Sequence, residues 1–288
     1  GAFRDLAVDH TLEVGQLVSG GTRIADLMQR GTARYDGSRW TFPLDARLAR
    51  ITTGNSLLDP RLANGTVRGT AVLSGRRLTA ENLALRFPTA SADVAVQGDL
   101  ARGLFGIAGG VRAQQVAFDD IGRASGSARI RATIAPGTWQ VRADLDARVN
   151  PVTNATLANL AGEPIRLRGG LQFGSGAPLR FDGLNVAASK LTARLDGTIA
   201  QGVTTLAGTG RHVDYGPFTI EGRLAPGGPE AVLVFADPLP AAGLRDVRLA
   251  IAPSDNGFRI ETEGGSTLGP FDGVLTVLAP GDGPTRIA

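Results

Sequence analysis

Cysteine is absent from this 288-residue chain, and lysine and methionine occur once each, as Lys190 and Met28. Without cysteine, the chain can hold neither a disulfide framework nor a thiolate nucleophile. Histidine is almost as rare, because only His10 and His212 are present and neither lies in a catalytic or metal-binding motif. The sequence therefore predicts no enzyme, no metal site and no cofactor.

Long apolar runs and basic clusters are missing as well. The longest apolar run, Ala231 to Ala236 (AVLVFA), is far too short to cross a bilayer. The 30 basic residues only slightly exceed the 27 acidic ones and are spread along the chain, which is not typical of a nucleic-acid-binding protein. No secretory signal opens the chain, which begins at Gly1. We expect a segment of a longer protein, with any membrane anchor or targeting signal outside it.

Glycine is abundant, at 40 residues, and separates segments in which apolar and polar residues alternate. Trp139 to Val149 (WQVRADLDARV) alternates without exception. A strand points its side chains alternately to two faces, so such a segment has one apolar and one polar face, as in antiparallel sheets. The same pattern recurs at 83–87 (LALRF), 128–134 (ARIRATI), 165–173 (IRLRGGLQF), 191–199 (LTARLDGTI) and 218–224 (FTIEGRL). The sequence predicts an all-β, antiparallel fold, in which Ala231 to Ala236 is apolar on both faces.

Two stretches about a hundred residues apart are similar to each other. Ala92 to Arg112 matches Leu191 to Arg211 without a gap, and the matched glycines include Gly109 and Gly208. Upstream, residues 55–69 match residues 154–169 with a shift of a residue or two. Such repeats predict an array of similar units that bury their apolar faces against one another. We expect one continuous segment over 1–288, with repeat units at 1–54, 55–153, 154–240 and 241–288.

A few short helices are predicted near 22–30, 55–62 and 154–161. Thr22 to Arg30 (TRIADLMQR) offers a threonine cap and a helical spacing of Ile24, Leu27 and Met28. Residues 154–161 (NATLANLA) end before a glycine, and residues 55–62 (NSLLDPRL) are interrupted by a proline.

The remaining polar motifs have structural interpretations. His212 lies two residues before Asp214, and we interpret it as a polar residue at a strand end. Asp144 and Asp146 share the polar face of their strand with arginines, which predicts charge pairing across strands. The adjacent residues 119–120 (DD) leave calcium binding open, although no glycine-punctuated acidic loop surrounds them.

The apolar face is the candidate binding site. Many of its positions are small, among them Ala143, Ala193, Gly169 and Gly197, which leaves room for an apolar ligand such as an acyl chain. The residues predicted to line this groove are Leu83, Leu85, Phe87, Val94, Val96, Val141, Leu145, Leu167, Leu171, Leu191, Leu195, Ile199, Phe218 and Ile220.

A repeated sequence motif also resembles that of a known family. Leu78 to Leu100 (LTAENLALRFPTASADVAVQGDL) has the form LxxxNLxLxxxxxxVxVxGxL, and residues 179–199 and 243–264 look like further copies. These repeats resemble the AsmA-like superfamily of bacterial envelope proteins. The resemblance implies an elongated, repeating β-groove that is open along one side and has a hydrophobic interior.

Function and partners follow from the same resemblance. It implies transport of phospholipid between the inner and outer membranes, support of outer-membrane protein assembly, or both. The implied partners are phospholipid acyl chains and, through parts outside this segment, an outer-membrane barrel partner of the assembly module and the inner membrane. The implied location is the periplasmic part of an inner-membrane-anchored protein.

Two other functions remain open. Exposed strand edges could pair with the β-strands of client proteins, as in an interaction scaffold without lipid transfer. A β-helix adhesin or autotransporter passenger is disfavoured, because β-helix rungs repeat at roughly 20 to 30 residues.

Overall fold

A computed structural model describes residues 5–19, 21–54, 59–118, 121–254, 257–278 and 286–287. The strands of this part of the chain belong to one open antiparallel sheet of 19 strands. Within the same residues, Ala155–Ala161 (α1) is the one α-helix, and two 3-10 turns lie at Asp59–Arg61 and Pro240–Ala242. The predicted all-β, antiparallel class is confirmed.

The strands follow one another along the chain with few interruptions. They are β1 (Leu6–Ser19), β2 (Thr22–Tyr35), β3 (Arg39–Thr52), β4 (Ala63–Ser74), β5 (Arg77–Arg86), β6 (Ala90–Asp99), β7 (Leu104–Phe118), β8 (Gly122–Ala135), β9 (Thr138–Val152), β10 (Ile165–Gly174), β11 (Ala177–Ala187), β12 (Leu191–Ala200), β13 (Val203–His212), β14 (Gly216–Ala225), β15 (Gly228–Phe235), β16 (Arg245–Ser254), β17 (Gly257–Ser266), β18 (Gly269–Leu278) and β19 (Arg286–Ile287).

Pairing joins strands that are consecutive in sequence. This holds from β1 to β7 and from β10 to β19. Two-residue turns suffice at several of these hairpins, and Gly176 and Gly202 adopt the positive φ angles, 69° and 77°, that such turns require. The glycine-rich turns therefore produce a simple meander.

The chain divides into two compact units. Unit 1 consists of Gly1–Ala117 and Ala124–Leu145, and unit 2 consists of Phe118–Arg123 and Asp146–Ala288. The sheet of unit 1 is built mainly from β1 to β7, and that of unit 2 mainly from β10 to β19.

Three connections between described strands contain helical turns, and they lie six strands apart. Residues 53–62 follow β3, residues 153–164 follow β9, and residues 236–244 follow β15. The predicted repeat boundaries at 54/55, 153/154 and 240/241 fall within these three connections. Six strands and one helical connection thus separate the starts of these connections, over 100 residues in the first interval and 83 in the second.

One of the three predicted helices is wrong, one is confirmed and one is only partly described. Residues 22–30 lie in β2, not in a helix. Asp26 has a positive φ of 49° and interrupts the period of two, so that Ile24 and Leu27, three residues apart, are both half-buried. An irregular strand thus imitates helical spacing.

The helix predicted at 154–161 is observed as α1, and the Asn154 side chain accepts a hydrogen bond from the Leu157 amide at 2.8 Å. Of the helix predicted at 55–62, residues 55–58 lie outside the described residues, and Asp59–Arg61 form a 3-10 turn.

One position of the repeated motif, Asn82-Leu83 in the first copy, lies at a β-bulge in all three copies. The register shifts between Ala80 and Leu83 in β5, between Phe181 and Leu184 in β11, and between Arg245 and Arg248 in β16. In the last two bulges, Gly183 and Asp246 have positive φ angles of 62° and 49°. Asparagine, glycine and aspartate tolerate this conformation best, and an aliphatic residue follows each of them. The repeat motif therefore marks bulges that return an aliphatic side chain to the apolar face.

Candidate functional site: the apolar face of the sheet

Unit 2 presents continuous rows of apolar side chains that run across the strands. Residues directly opposite one another in neighbouring strands point to the same face, so the register defines each row. The first row is Leu167, Val186, Ala193, Gly210, Phe218, Phe235 and Val247. The second is Leu184, Leu195, Gly208, Ile220, Leu233, Leu249, Thr262 and Gly273. The third is Leu171, Phe181, Gly197, Leu206, Gly222, Ala231, Ile251, Ile260 and Leu275.

These rows contain no charged residue. The third row crosses from β10 to β18, and at about 4.8 Å between neighbouring strands it covers about 38 Å along the sheet. The Thr262 hydroxyl is the only polar side-chain group in the three rows. Unit 2 therefore carries an uninterrupted apolar surface.

Unit 1 repeats this arrangement. One row is Leu12, Gln29, Ala46, Val67, Leu85, Ala92 and Val111. Another is Leu6, Tyr35, Trp40, Leu73, Leu78, Gly98 and Phe105.

The apolar side chains on this face are only partly covered. Among the described residues, no large side chain is less than 2% exposed. The chain exposes 18164 Å² in total. A compact monomer of 29.8 kDa exposes about 11,600 Å², and two separate compact monomers of half that mass would expose about 14,000 Å². The chain thus leaves more surface in water than two ordinary domains would.

The fourteen predicted groove residues all lie in or beside strands. Leu83 pairs with Val94 in unit 1, and Leu195 lies opposite Leu184 in unit 2. Val94 is buried at 8% exposure and Ile199 is 40% exposed, whereas the other twelve are half-buried. Their contact with an acyl chain stays a prediction.

Sequence reasoning missed several residues of the same face. Leu184, Leu206, Leu233, Leu249 and Ile260 belong to the rows. The signal for most of them was present as alternation in β11, β13, β16 and β17. In β15, which is apolar on both faces, only the register shows that Leu233 and Phe235 belong to the rows.

Phenylalanine rings on this face lie over glycines of the neighbouring strand. A Cβ atom added to Gly98 would come within 2.6 Å of the Phe105 ring, and one added to Gly197 within 2.9 Å of the Phe181 ring. The same arrangement joins Phe87 to Gly65, Phe218 to Gly210, and Phe271 to Gly264. Each ring therefore lies against the glycine backbone of the neighbouring strand and does not project above the surrounding side chains.

Two polar residues on this face are buried, and both are used structurally. Gln29 donates through Nε2 to the Pro43 carbonyl at 3.0 Å and accepts through Oε1 from the Asp45 amide at 3.0 Å. Proline has no amide proton for the strand ladder, so the Gln29 side chain bridges β2 and β3 beside it.

His212 ends β13 and is 7% exposed. Its Nδ1 accepts from the Asp214 amide at 3.1 Å, which leaves the proton on Nε2. Nε2 lies 2.9 Å from the Leu160 carbonyl, and the ring stacks on Tyr215 with centroids 4.7 Å apart.

The opposite face of the sheet carries the charges. Arg86 pairs with Asp93 at 2.6 Å, and Arg168 of β10 pairs with Asp146 of β9 at 3.0 Å, so cross-strand pairing of Asp146 is observed. All four side chains are about half exposed or more, so each pair contributes less than about 1 kcal/mol. On this face the paired charges are exposed to solvent. Residues 119–120, for which calcium binding was left open, lie outside the described residues.

One exposed turn perturbs a carboxyl group. Asp36 accepts hydrogen bonds from the Ser38 hydroxyl at 2.8 Å, from the Ser38 and Arg39 amides and from the Arg39 guanidinium. These donors, led by the Ser38 hydroxyl, lower the pKa of Asp36 from 3.8 to about 2. The effect belongs to the β2–β3 turn and not to the apolar face.

In the described residues, no group of three or more His, Asp or Glu side chains lies close enough to hold a metal ion. Nor does this part of the chain contain a helix with the length and hydrophobicity that crossing a bilayer requires. Comparisons of the chain with protein families, curated proteins and solved structures gave no match. The resemblance to AsmA-like proteins therefore rests on the repeated residues alone.

Proposed function

We propose that the apolar face holds the acyl chains of phospholipids and conducts them between membranes. The observation that carries the proposal is the set of rows in unit 2, which contain no charged residue and consist mostly of half-exposed residues. A face of this size is normally covered in a soluble protein. An acyl chain is a suitable cover, because it requires no hydrogen-bonding partner.

The energetics favour a flexible, apolar ligand. Each buried methylene gains about 0.8 kcal/mol, so one long acyl chain gains on the order of 10 kcal/mol. Ligands with oriented polar groups need matching donors and acceptors in their site. The rows offer only the Thr262 hydroxyl, which suits an unspecific track along which lipids move.

A place in the bacterial envelope is part of this proposal, and it is supported by the resemblance to AsmA-like proteins. The bulge phrase at Leu78 to Leu100 is most like that of TamB, the inner-membrane component of the translocation and assembly module. On this proposal the chain is a periplasmic segment of an inner-membrane-anchored protein. Support of outer-membrane protein assembly would then be a second role of the same segment.

The first experiment compares lipid binding by two matched variants. The protein is purified under mild conditions and extracted with organic solvent, and the extract is analysed by lipid mass spectrometry. Leu195→Glu places a charge in the second row, whereas Thr209→Glu places the same charge on the polar face, opposite Arg194. We expect phospholipid with the wild type and with Thr209→Glu, and its loss with Leu195→Glu.

Folding is checked in each variant by far-UV circular dichroism. Ile199→Glu is a second test, because Ile199 is already 40% exposed and tolerates a charge more easily. A folded wild type that is free of lipid, or a folded Leu195→Glu variant that retains it, would overturn the proposal. Crosslinks from strand edges to client β-strands would then favour the interaction scaffold.

A further inference from the structure

The only α-helix in the described residues is anchored at its C-terminal end by the sheet of unit 2. The last four carbonyls of a helix have no partner within it and must find donors elsewhere. In α1, the Ala158 carbonyl accepts from the Gly162 amide at 2.9 Å, within the cap. The Asn159 carbonyl accepts from Lys190 Nζ and the Ala161 carbonyl from the Lys190 amide, both at 2.9 Å.

The remaining carbonyl, that of Leu160, faces His212 Nε2 at 2.9 Å. All four carbonyls are therefore satisfied, and Ala161, at 2% exposure, is one of the most deeply buried residues of the chain. Two of the donors come from rare residue types, because Lys190 is the only lysine and His212 one of two histidines. Lys190 also places a cation at the negative end of the helix dipole.

The anchor fixes the side of the sheet on which α1 ends. His212 shares the alternation of β13 with Gly210 and Gly208, which belong to the first and second rows, and it lies opposite Leu191. Its ring therefore projects from the apolar face, and the helix terminus that it contacts lies on that face. The C-terminus of α1 is therefore held at the edge of the apolar face where β12 begins and β13 ends.

We propose that α1 is a stop that ends the lipid-binding surface at this edge, with Lys190 and His212 as its positioning residues. This inference rests on the proposed function, because a stop has a role only if lipid occupies the rows. On this proposal acyl chains reach the second row at Leu195 but not Leu191, which lies opposite His212. Leu191 is then the one predicted groove residue that lipid does not contact. When α1 is released from the sheet, acyl chains also reach the next row, which contains Leu191.

The test combines amide hydrogen exchange with lipid crosslinking in the full chain. The double variant Lys190→Met/His212→Leu removes both side-chain donors, and Lys190→Arg/His212→Gln keeps donors at both positions. Each hydrogen bond contributes on the order of 1 kcal/mol, so exchange at the Ala158 and Gly162 amides should accelerate at least about tenfold in the first variant. Phosphatidylcholine with a photoreactive group at the acyl terminus then labels the apolar face, and mass spectrometry maps the labelled residues.

We expect label at Leu195 but not at Leu191 in the wild type and in the donor-keeping variant. In the released variant, label at Leu191 should appear. Unchanged exchange in that variant would overturn the positioning role, and wild-type label at Leu191 would overturn the stop. Accelerated exchange in the released variant, together with an unaltered labelling map, would also overturn the role of α1 as a stop. Absence of label from Leu195 in every protein would instead overturn the proposed function, even where exchange shows that the anchor exists.

Should the double variant fail to fold, His212→Leu alone is compared with His212→Gln, since Lys190 then still holds two carbonyls. The same two measurements and the same outcomes apply.

Discussion

Adjacent glycines in β7 offer a sharp test of how closely the strands approach on the apolar face. Gly109 lies opposite Val94, which is buried, whereas Gly110 points to the other face. A Cβ atom on Gly109 would meet the Asp93 carbonyl and would lie 2.6 Å from Val94 Cα and 2.9 Å from Val94 Cγ1. A Cβ atom on Gly110 has nothing within 4 Å. Gly109→Ala and Gly110→Ala therefore differ in packing and in little else.

The expected difference follows from two opposing effects. Replacing glycine by alanine restricts the unfolded chain and stabilises the fold by about 0.4 to 1 kcal/mol where the backbone allows it. At Gly109 the obstacle is backbone, which cannot rotate away, and overpacking costs about 1 to 3 kcal/mol. We expect Gly109→Ala to lower the free energy of unfolding by about 2 kcal/mol. Gly110→Ala should raise it by up to about 1 kcal/mol.

Tryptophan fluorescence during urea unfolding measures this difference. Trp40 and Trp139, the two tryptophans of the chain, both lie in unit 1 with Gly109, so the signal reports on the right unit. With a urea dependence of about 2 kcal/mol per molar, the midpoint of Gly109→Ala should fall by about 1 M. Equal midpoints for the two variants would refute the close approach of β6 and β7 on this face.

Three further expectations can be checked separately. Ser38→Ala should raise the pKa of Asp36 from about 2 towards 3.8, which NMR of the Asp36 carboxyl group measures. Because the pKa is lower in the folded state, the stabilisation from this turn is present above pH 3.8 and is lost as the pH falls towards 2. Phe181→Ala removes a ring that is 7% exposed and should cost about 3 kcal/mol, measured by circular dichroism in urea; a loss below about 1 kcal/mol would show that the ring is not packed. Neutralising Arg86 and Asp93 singly and together in a double-mutant cycle should give a coupling below about 1 kcal/mol that disappears in 1 M salt, and a larger, salt-independent coupling would contradict a solvent-exposed pair.

The fold class and most strands could be predicted because alternation and glycine-rich turns are local signals. The alternation within Trp139 to Val149, for example, predicts both the extended conformation and the apolar face of this segment without information from any other strand. The helix α1 was predictable for the same reason, since Asn154 caps it and Gly162 ends it.

The error at β2 has a physical cause that local reasoning does not reveal. The left-handed residue Asp26 moves the alternation by one, and the apolar residues on either side of it acquire a helical spacing. Pairing with β1 and β3 along most of its length keeps β2 extended despite this pattern. The bulges in β5, β11 and β16 likewise appeared in the sequence only as a position of the repeated motif.

The sequence predicted which residues of each strand lie on the apolar face, but not which residues of different strands lie side by side on it. Alternation selected Leu195 and Ile220 separately, yet only the register places them in one row, on either side of Gly208. The roles of Gln29, Lys190 and His212 depend on residues 14 to 52 positions away, so sequence spacing contained no signal for them.

The sequence by itself determined that this chain is an antiparallel β-protein with one apolar face and a repeat of about a hundred residues. It did so because side-chain direction in a strand depends only on the position along that strand. The tertiary structure decided which residues lie side by side, how much of the apolar face stays uncovered and where α1 ends upon it. These properties depend on strand register and on hydrogen bonds between distant residues, which are settled only when the strands come together.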